Sequence, residues 1–522
     1  MSQLSSSPLH NLSARELGDA YAAKELSPVD VADAVIERIE EREPVLNALY
    51  QFEPEAVRKD AKASERRWLE GSQRGPLDGV PMSVKENIAR AGVPMPSGTA
   101  LSNPKVPQNN SPITDRILEA GGVIVGSTTM PDWGMLSSGV SSLHGISRSA
   151  WNPAWTTGGS SAGAGSAAAA GYGPLHVGTD IGGSIRLPGA WQGLATLKPS
   201  AGLIPLDVPY IGRAAGPMAR TVADAALFMT ILAQPDIRDY TARPYPAMDW
   251  AVDGCDVSSL KVALQTEANA GAAVDPEVLA AVEAVARQFA DAGAHVERLE
   301  PFINQDMLDR LDRFWRTRSW ADYRELSAAE QEKVLPYIAR WCQGGSQFDG
   351  AETIRNFGSI DQMQKATIAA TAEYDVVISP VAPMAAFPAE QPMPVDDPDQ
   401  TMAHIAFTVP YNMSGQPAAT VNCGFTSDGR PIGVQLSGRV GADDDVLRAA
   451  AWYESVRPVG AVPDWSSLDE PPAWRRARLA LNSGGRVSGS GTRPLDLKFR
   501  RSLRPGQRLS ARCQCLSDGF RE

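Results

Sequence analysis

The chain has 522 residues, 43% hydrophobic, 21% charged and 7% aromatic, an ordinary globular composition that excludes collagen, low-complexity disorder and a small disulfide scaffold. The net charge of −12 is unevenly spread: residues 475–522 carry +9 and the first 474 carry −21, so the acidic body is a poor match for a nucleic-acid phosphate backbone. No membrane span is expected, because the longest weakly apolar run, 162–175, is mostly Ala and Gly and falls short of the ~18 apolar residues required. The opening residues lack the basic start and apolar stretch of a secretion signal, and the odd, scattered set of five cysteines fits a reducing, cytoplasmic setting.

In chain order, Ser27-Pro28 is a helix start, a capping serine before a proline at the first helical position. Val31, Val35 and Ile39 follow on one face, with Pro44 expected to end that helix. A second helix is predicted over 54–70 and a turn over 75–79. A short buried strand over 80–84 then leads into Lys85. Further helices are expected over 115–120, 221–232, 276–293 and 445–453, and strands over 123–125, 260–264, 374–379, 418–422 and 431–436. Short apolar strands alternating with helices predict an α/β fold in one catalytic domain, 1–472. Residues 302–345 differ in composition, with Phe314, Trp315, Trp320, Tyr323, Tyr337 and Trp341 among many charges. They read as a helical insert whose aromatics either pack it onto the body or line a pocket. Beyond 472 apolar periodicity disappears, and the basic stretch 473–522 is expected to be a disordered extension that the catalytic unit does not need. Within it, Cys513 and Cys515 are too close and too isolated for a zinc site.

The chemistry concentrates in residues 158–184, GGSSAGAGSAAAAGYGPLHVGTDIGGS. Such glycine density lets backbone N–H groups approach a ligand closely. A phosphate loop would need a Lys-Ser/Thr after its last glycine, and a dinucleotide fingerprint would need a preceding apolar strand; neither is present. Gly159-Ser160-Ser161-Ala162-Gly163 matches the nucleophile-elbow pattern, a weak match in a Gly/Ser-rich run that also lacks its feeding strand. The histidines, at 10, 144, 176, 295 and 404, all lack a suggestive context. A serine site without histidine still needs a base, and a lysine serves only if burial or a cationic neighbour keeps it neutral. Lys85, at the end of an apolar strand, meets that condition, against the alternative of a surface lysine.

Three segments carry a resemblance to the amidase signature family: Gly79-Val-Pro-Met-Ser-Val-Lys85-Glu-Asn, Gly158-Gly-Ser160-Ser161-Ala-Gly, and Gly178-Thr-Asp-Ile-Gly-Gly-Ser184-Ile-Arg186-Leu-Pro. Downstream, residues 193–198, 216–224, 412–417 and 431–439 also fit, so the likeness spans roughly 10–458. Ala162 and Ala164 stand where many members have Gly or Ser, and Gly189 where Ala is common. The resemblance implies a single domain built on a large mixed twisted sheet flanked by helices on both faces. It implies Ser184 as nucleophile, Ser160 as the bridging serine after a cis peptide bond, and Lys85 as base. It further implies an oxyanion hole of backbone N–H groups from Ile181, Gly182, Gly183 and Ser184. Asp180 and Arg186 read as loop support and Ser161 as a member of the lysine network, with no metal and no cofactor. For Asn87, Ser97 and Thr179, ordinary loop hydrogen bonding is the equal alternative to a site role.

The implied activity is hydrolysis of a linear carboxylic amide, carrying an apolar or aryl group, to acid and amine or ammonia through an acyl-enzyme. The alternatives are a carbamate, urea or ester hydrolase with the same triad, a glutamine amidotransferase subunit, and a non-catalytic scaffold. The amidotransferase subunits usually carry a glutamine where this chain has Leu187. Expected partners are a small-molecule amide and at most a second copy of the chain, with no nucleic acid and no membrane. Specificity is expected from residues 206–212, Trp191 and the aromatic insert.

Overall fold

The computed structural model describes residues 8–469, which fall in one compact unit. The predicted basic tail and its two cysteines lie outside the described residues. The architecture is a mixed eleven-stranded sheet. From one edge, its strands are Leu49–Gln51, Val123–Thr128, Pro81–Lys85, Leu175–Asp180, Ala214–Ala219, Ala195–Lys198, Ala418–Phe425, Pro431–Ser437, Val376–Pro380, Lys261–Leu264 and His295–Arg298.

Side chains alternate between the faces of a strand, so a strand buried along its whole length is covered on both sides. Every residue of Pro81–Lys85, Leu175–Asp180 and Pro431–Ser437 is buried, and helices accordingly cover both faces. Pro81–Lys85 runs parallel to Leu175–Asp180, with Val84 opposite Val177. That register brings Lys85 and Thr179 to the same carboxyl-terminal edge of the sheet, where open α/β sheets bind their ligands.

The Gly/Ser/Ala stretch becomes a strand and two short helices packed at backbone distance. In the helix Ala162–Ala170 every residue is buried. A Cβ on Gly163 would lie 2.1 Å from the Ala48 carbonyl oxygen and 2.5 Å from the Thr129 nitrogen. At Gly189 it would lie 2.8 Å from the Thr196 side chain, a contact that accounts for glycine at this position.

Two sequence expectations need correction. Pro44 does not end its helix, which runs Pro28–Leu46. A proline in the last turn removes one hydrogen bond only. Leu46 still buries its side chain, and Asn47 closes the helix in the left-handed conformation at φ 50°, its N–H donating to the Glu43 carbonyl. The aromatic insert is also longer than 302–345. Its helices Gln305–Tyr323, Ala328–Gln331 and Pro336–Gln343 continue as Gly350–Phe357 and Ser359–Thr371. The aromatics thin out to Phe348 and Phe357, the latter packed on Phe314, and burial at helical spacing persists beyond them through Ile360, Met363, Thr367 and Thr371. These helices form a second core of their own, which joins Leu136, Leu187 and Phe407 from the body.

Candidate active site

A cavity of about 510 Å³ opens at the carboxyl-terminal edge of the sheet, between the Gly/Ser loops and the aromatic helices. Ser160, Thr179, Ile181, Gly182 and Ser184 line its floor, and Met130, Trp133, Leu136, Trp315, Trp341 and Ile405 are among its apolar walls. Lys85 lies behind Ser160, fully buried. Its Nζ is 2.8 Å from Ser160 Oγ, 3.1 Å from Ser161 Oγ and 3.1 Å from Thr179 Oγ1.

Burial pushes the Lys85 amine well below the ordinary lysine range, and the positive charge of Arg213 lowers it further against the opposing pull of Asp180 and Glu86. A neutral amine has two N–H donors and one lone pair. The Ser161 hydroxyl is committed to the Thr179 carbonyl at 3.1 Å, so it receives a hydrogen from Lys85. Thr179 Oγ1 also accepts from Asn87 Nδ2 at 3.1 Å, which makes it the second acceptor. The remaining lone pair then faces Ser160 Oγ. Of the three, Ser160 and Thr179 line the cavity, and with Thr179 accepting from the amine it is Ser160 whose hydroxyl meets the lone pair. Ser161 is fully buried and does not line the cavity, which removes the nucleophile-elbow reading.

Ser184 sits half-buried on the loop between the strand Leu175–Asp180 and the helix Arg186–Gln192. A buried charge network fixes that loop. Arg186 donates to both Asp180 oxygens, at 3.0 and 2.9 Å, and the N–H groups of Gly183 and Ile185 donate to the same carboxylate at 2.8 and 3.0 Å. Asn412 adds a bond to Asp180 at 2.8 Å, and Arg186 reaches Gln435 at 2.7 Å and the Thr408 carbonyl at 2.9 Å. Burial alone would raise the Asp180 carboxyl, but the Arg186 charge and these donors together hold it below the usual carboxylate range. Thr408 Oγ1 in turn donates to the Gly182 carbonyl at 2.7 Å.

This network narrows the expected set of oxyanion donors. The Gly183 amide is spent on Asp180, so Ile181, Gly182 and Ser184 retain the amides that can meet a substrate oxygen. Gly183 has φ +126°, and a Cβ there would press on Thr408 Oγ1 at 2.9 Å. At Gly182 it would project toward Ile405 and Trp315 in the cavity. The peptide bond Gly159–Ser160 is cis.

Trp191 is not a cavity residue. It is buried against Phe387, with ring centroids 5.4 Å apart, and donates to the Met384 carbonyl. Asp207, Val208, Pro209 and Tyr210 of the predicted specificity loop do line the cavity, as do Trp315 and Trp341; Tyr323 and Tyr337 are core residues of the aromatic helices. Asn87 and Ser97 also line it. Sequence reasoning missed Arg213, Arg318 and His404, all in the cavity wall. His404 shares a 2.7 Å hydrogen bond with Ser137, and burial lowers its imidazole to about 3, so it stays neutral. Nothing local in the sequence marks these three. Asn412 and Gln435 lay inside matching segments, but their role depends on a contact more than 200 residues away.

The Amidase family profile matches residues 30–447. The chain belongs to this family. It is an amidase, a hydrolase of amide C–N bonds, with the α/β fold of the amidase signature enzymes. It is 34% identical to an acylamidase of Rhodococcus erythropolis over 461 residues, covering 86% of this chain and 96% of that protein. It is 31% identical to a glutamyl-tRNA(Gln) amidotransferase component of Chloroflexus aggregans, covering 86% and 97%. Among solved structures, a bacterial aryl acylamidase of the amidase signature family superposes with a TM-score of 0.80 at 25% identity, covering 88% of this chain and 99% of that one. Among the described residues, no helix is long and apolar enough to cross a membrane.

Proposed function

We propose that this amidase cleaves linear amides bearing an apolar or aryl group, with Ser184 as nucleophile, Ser160 as proton bridge and Lys85 as base. The observation that carries this reading is the fully buried, pKa-depressed Lys85 held 2.8 Å from Ser160 at the floor of a cavity walled by Trp133, Trp315 and Trp341. Ser160 passes its proton to the Lys85 lone pair and takes the proton of Ser184, whose oxygen attacks the carbonyl carbon. The oxyanion is met by the amides left free in the loop, those of Ile181, Gly182 and Ser184, such a donor being worth about 2.7–4 kcal/mol. The proton returns through Ser160 to the amide nitrogen, the C–N bond breaks and the amine leaves. Water then enters by the same relay and frees the acid from Ser184. Asp180 and Arg186 hold this geometry and touch no reacting atom, while Ser161 orients the Lys85 amine by accepting one of its hydrogens. The small cavity and acidic body favour a small-molecule substrate over nucleic acid as the partner, in the cytoplasm.

The test measures amine released from a panel of aliphatic amides, anilides and carbamates. Anilides should be the best substrates, Ser184→Ala should abolish turnover and labelling by a fluorophosphonate, and a folded Ser184→Ala enzyme at the parent rate would overturn the assignment. The likeness to an amidotransferase component motivates one further assay. Ammonia released from glutamine faster than amine from any anilide would transfer the reading to that class. The buried Leu187 and the aromatic walls argue against this outcome.

A further inference from the structure

The cavity has a polar end unlike its apolar walls. Arg213 and Arg318 both line it, together with Lys105, Tyr210 and Asp207. Among the described residues, the Arg213 side chain makes one long hydrogen bond, 3.4 Å, from Nη1 to the Val208 carbonyl. The Arg318 guanidinium lies 4.9 Å from the centroid of the Tyr210 ring. Neither arginine, nor Lys105, is paired with a carboxylate among the described residues. Asp180 is committed to Arg186, and Asp207 is exposed to solvent and pairs with neither arginine. The Tyr210 hydroxyl is buried at the same place without a hydrogen-bond partner.

Burial lowers the pKa of Arg213, and the charge of Arg318, which is itself exposed to solvent, lowers it further, so the two guanidinium groups repel one another. In a body carrying −21 over its first 474 residues, arginines would ordinarily find carboxylates. Here they are held apart from them, with the unpartnered Tyr210 hydroxyl on the ring that Arg318 stacks against, beside a cavity that reads as the substrate site. A planar carboxylate matches this donor set, because guanidinium groups bind it through parallel N–H···O bonds.

We infer that Arg213, Arg318 and Tyr210 form a subsite for a carboxylate on the substrate, so that the preferred amides carry an apolar or aryl body and an anionic end. The inference rests on the cavity being the amide-binding site proposed above, and Arg213 and Arg318 are specificity-determining rather than catalytic residues.

Binding is measured by calorimetry on the full chain carrying Ser184→Ala, which separates recognition from chemistry. The ligands are glutaranilate, with its carboxylate on the acyl side, and 4-acetamidobenzoate, with it on the amine side, each compared with its neutral methyl ester. In at least one pair the acid should bind about tenfold tighter or more than the ester. Arg318→Met, at an exposed position that the fold tolerates, and Arg213→Met should each bring that ratio toward parity. Parity in both pairs without an arginine substitution, including failure of both acids to bind, overturns the inference, as does a preference that survives both substitutions. Turnover of neutral acetanilide by the parent enzyme, measured alongside, reports on the proposed activity alone: hydrolysis without any carboxylate preference sinks only the subsite.

Discussion

At the scale of single residues, the site depends on one proton held in an unusual place. The Lys85 amine is buried beside Arg213, and both push its pKa down, so it is neutral at a pH where an exposed lysine is charged. The rate should therefore rise with pH along a limb that lies below the ordinary lysine value and flatten once the amine has lost its proton. Arg213→Met removes a neighbouring positive charge, which raises the Lys85 pKa, so the limb of a neutral anilide should move to higher pH. An unmoved limb would assign it to another group. Lys85→Ala should cost about 10²–10⁴-fold or more in kcat, since no neutral histidine stands where Lys85 does. His404 is near the cavity but its imidazole is bonded to Ser137. Full activity of Lys85→Ala at neutral pH would exclude it as the base.

At the scale of elements, the strand-to-helix loop 181–185 is held by a carboxylate and a guanidinium that are both fully buried. Removing one partner strands the other. Asp180→Asn should destabilise the protein by about 3–5 kcal/mol, read as a lower midpoint in urea, and should lower activity through loss of loop geometry. The sign with pH follows from the same pair. A carboxyl held below its ordinary range contributes stability that is present above about pH 4 and lost as pH falls toward the folded value. Acid unfolding of the parent should therefore be steeper than that of Asp180→Asn. The helix Ala162–Ala170 sets a second limit. Gly163→Ala places a methyl group against two backbone atoms that cannot swing aside, so a loss of about 1–3 kcal/mol is expected, with little change in KM if the enzyme folds.

At the scale of the whole molecule, residues near the described end close the body onto its beginning. Arg38 donates to the Leu468 carbonyl at 2.8 Å, while His10 and Asn11 meet the Asp469 carboxylate at 3.0 and 2.7 Å. Arg220 stacks on Trp465 at 4.8 Å. Truncation after Pro472 keeps all of these and removes only a stretch too poor in apolar periodicity to bury itself, so the thermal midpoint and amide hydrolysis should stay nearly unchanged. Truncation after Val462 removes the Leu468 carbonyl and the Asp469 carboxylate from buried Arg38, leaving it Ala170 and Glu41, and should lower the midpoint by several degrees. Equal midpoints for the two truncations would show that the closure contributes nothing.

The sequence by itself determined many of the elements and the triad candidates, because these depend on local information, whereas the strands Leu49–Gln51, Leu175–Asp180, Ala195–Lys198, Ala214–Ala219 and His295–Arg298 were not read from it. Apolar spacing specifies a strand over 80–84 or a helix over 54–70 wherever the rest of the chain lies. Gly/Ser density and the three matching segments identified Lys85, Ser160 and Ser184 by pattern alone. The extent of the aromatic helices was only partly legible, because burial at helical spacing outlasts the aromatic residues that drew attention to them. Trp191 could not be told from a cavity residue, since a buried tryptophan reads the same on either side of a wall. Only the tertiary structure decided which amide of the Gly-Gly loop is already bonded, which of two adjacent serines faces the cavity, and that Arg213 and Arg318 share one end of it. The Gly183 amide is bonded only three residues away, but the Asp180 carboxylate that takes it is held by Asn412, 232 residues on, and Ser161 is tied to Thr179, 18 residues on. The strength of a charge or a hydrogen bond depends on what surrounds it, and the surroundings are assembled only when the chain folds.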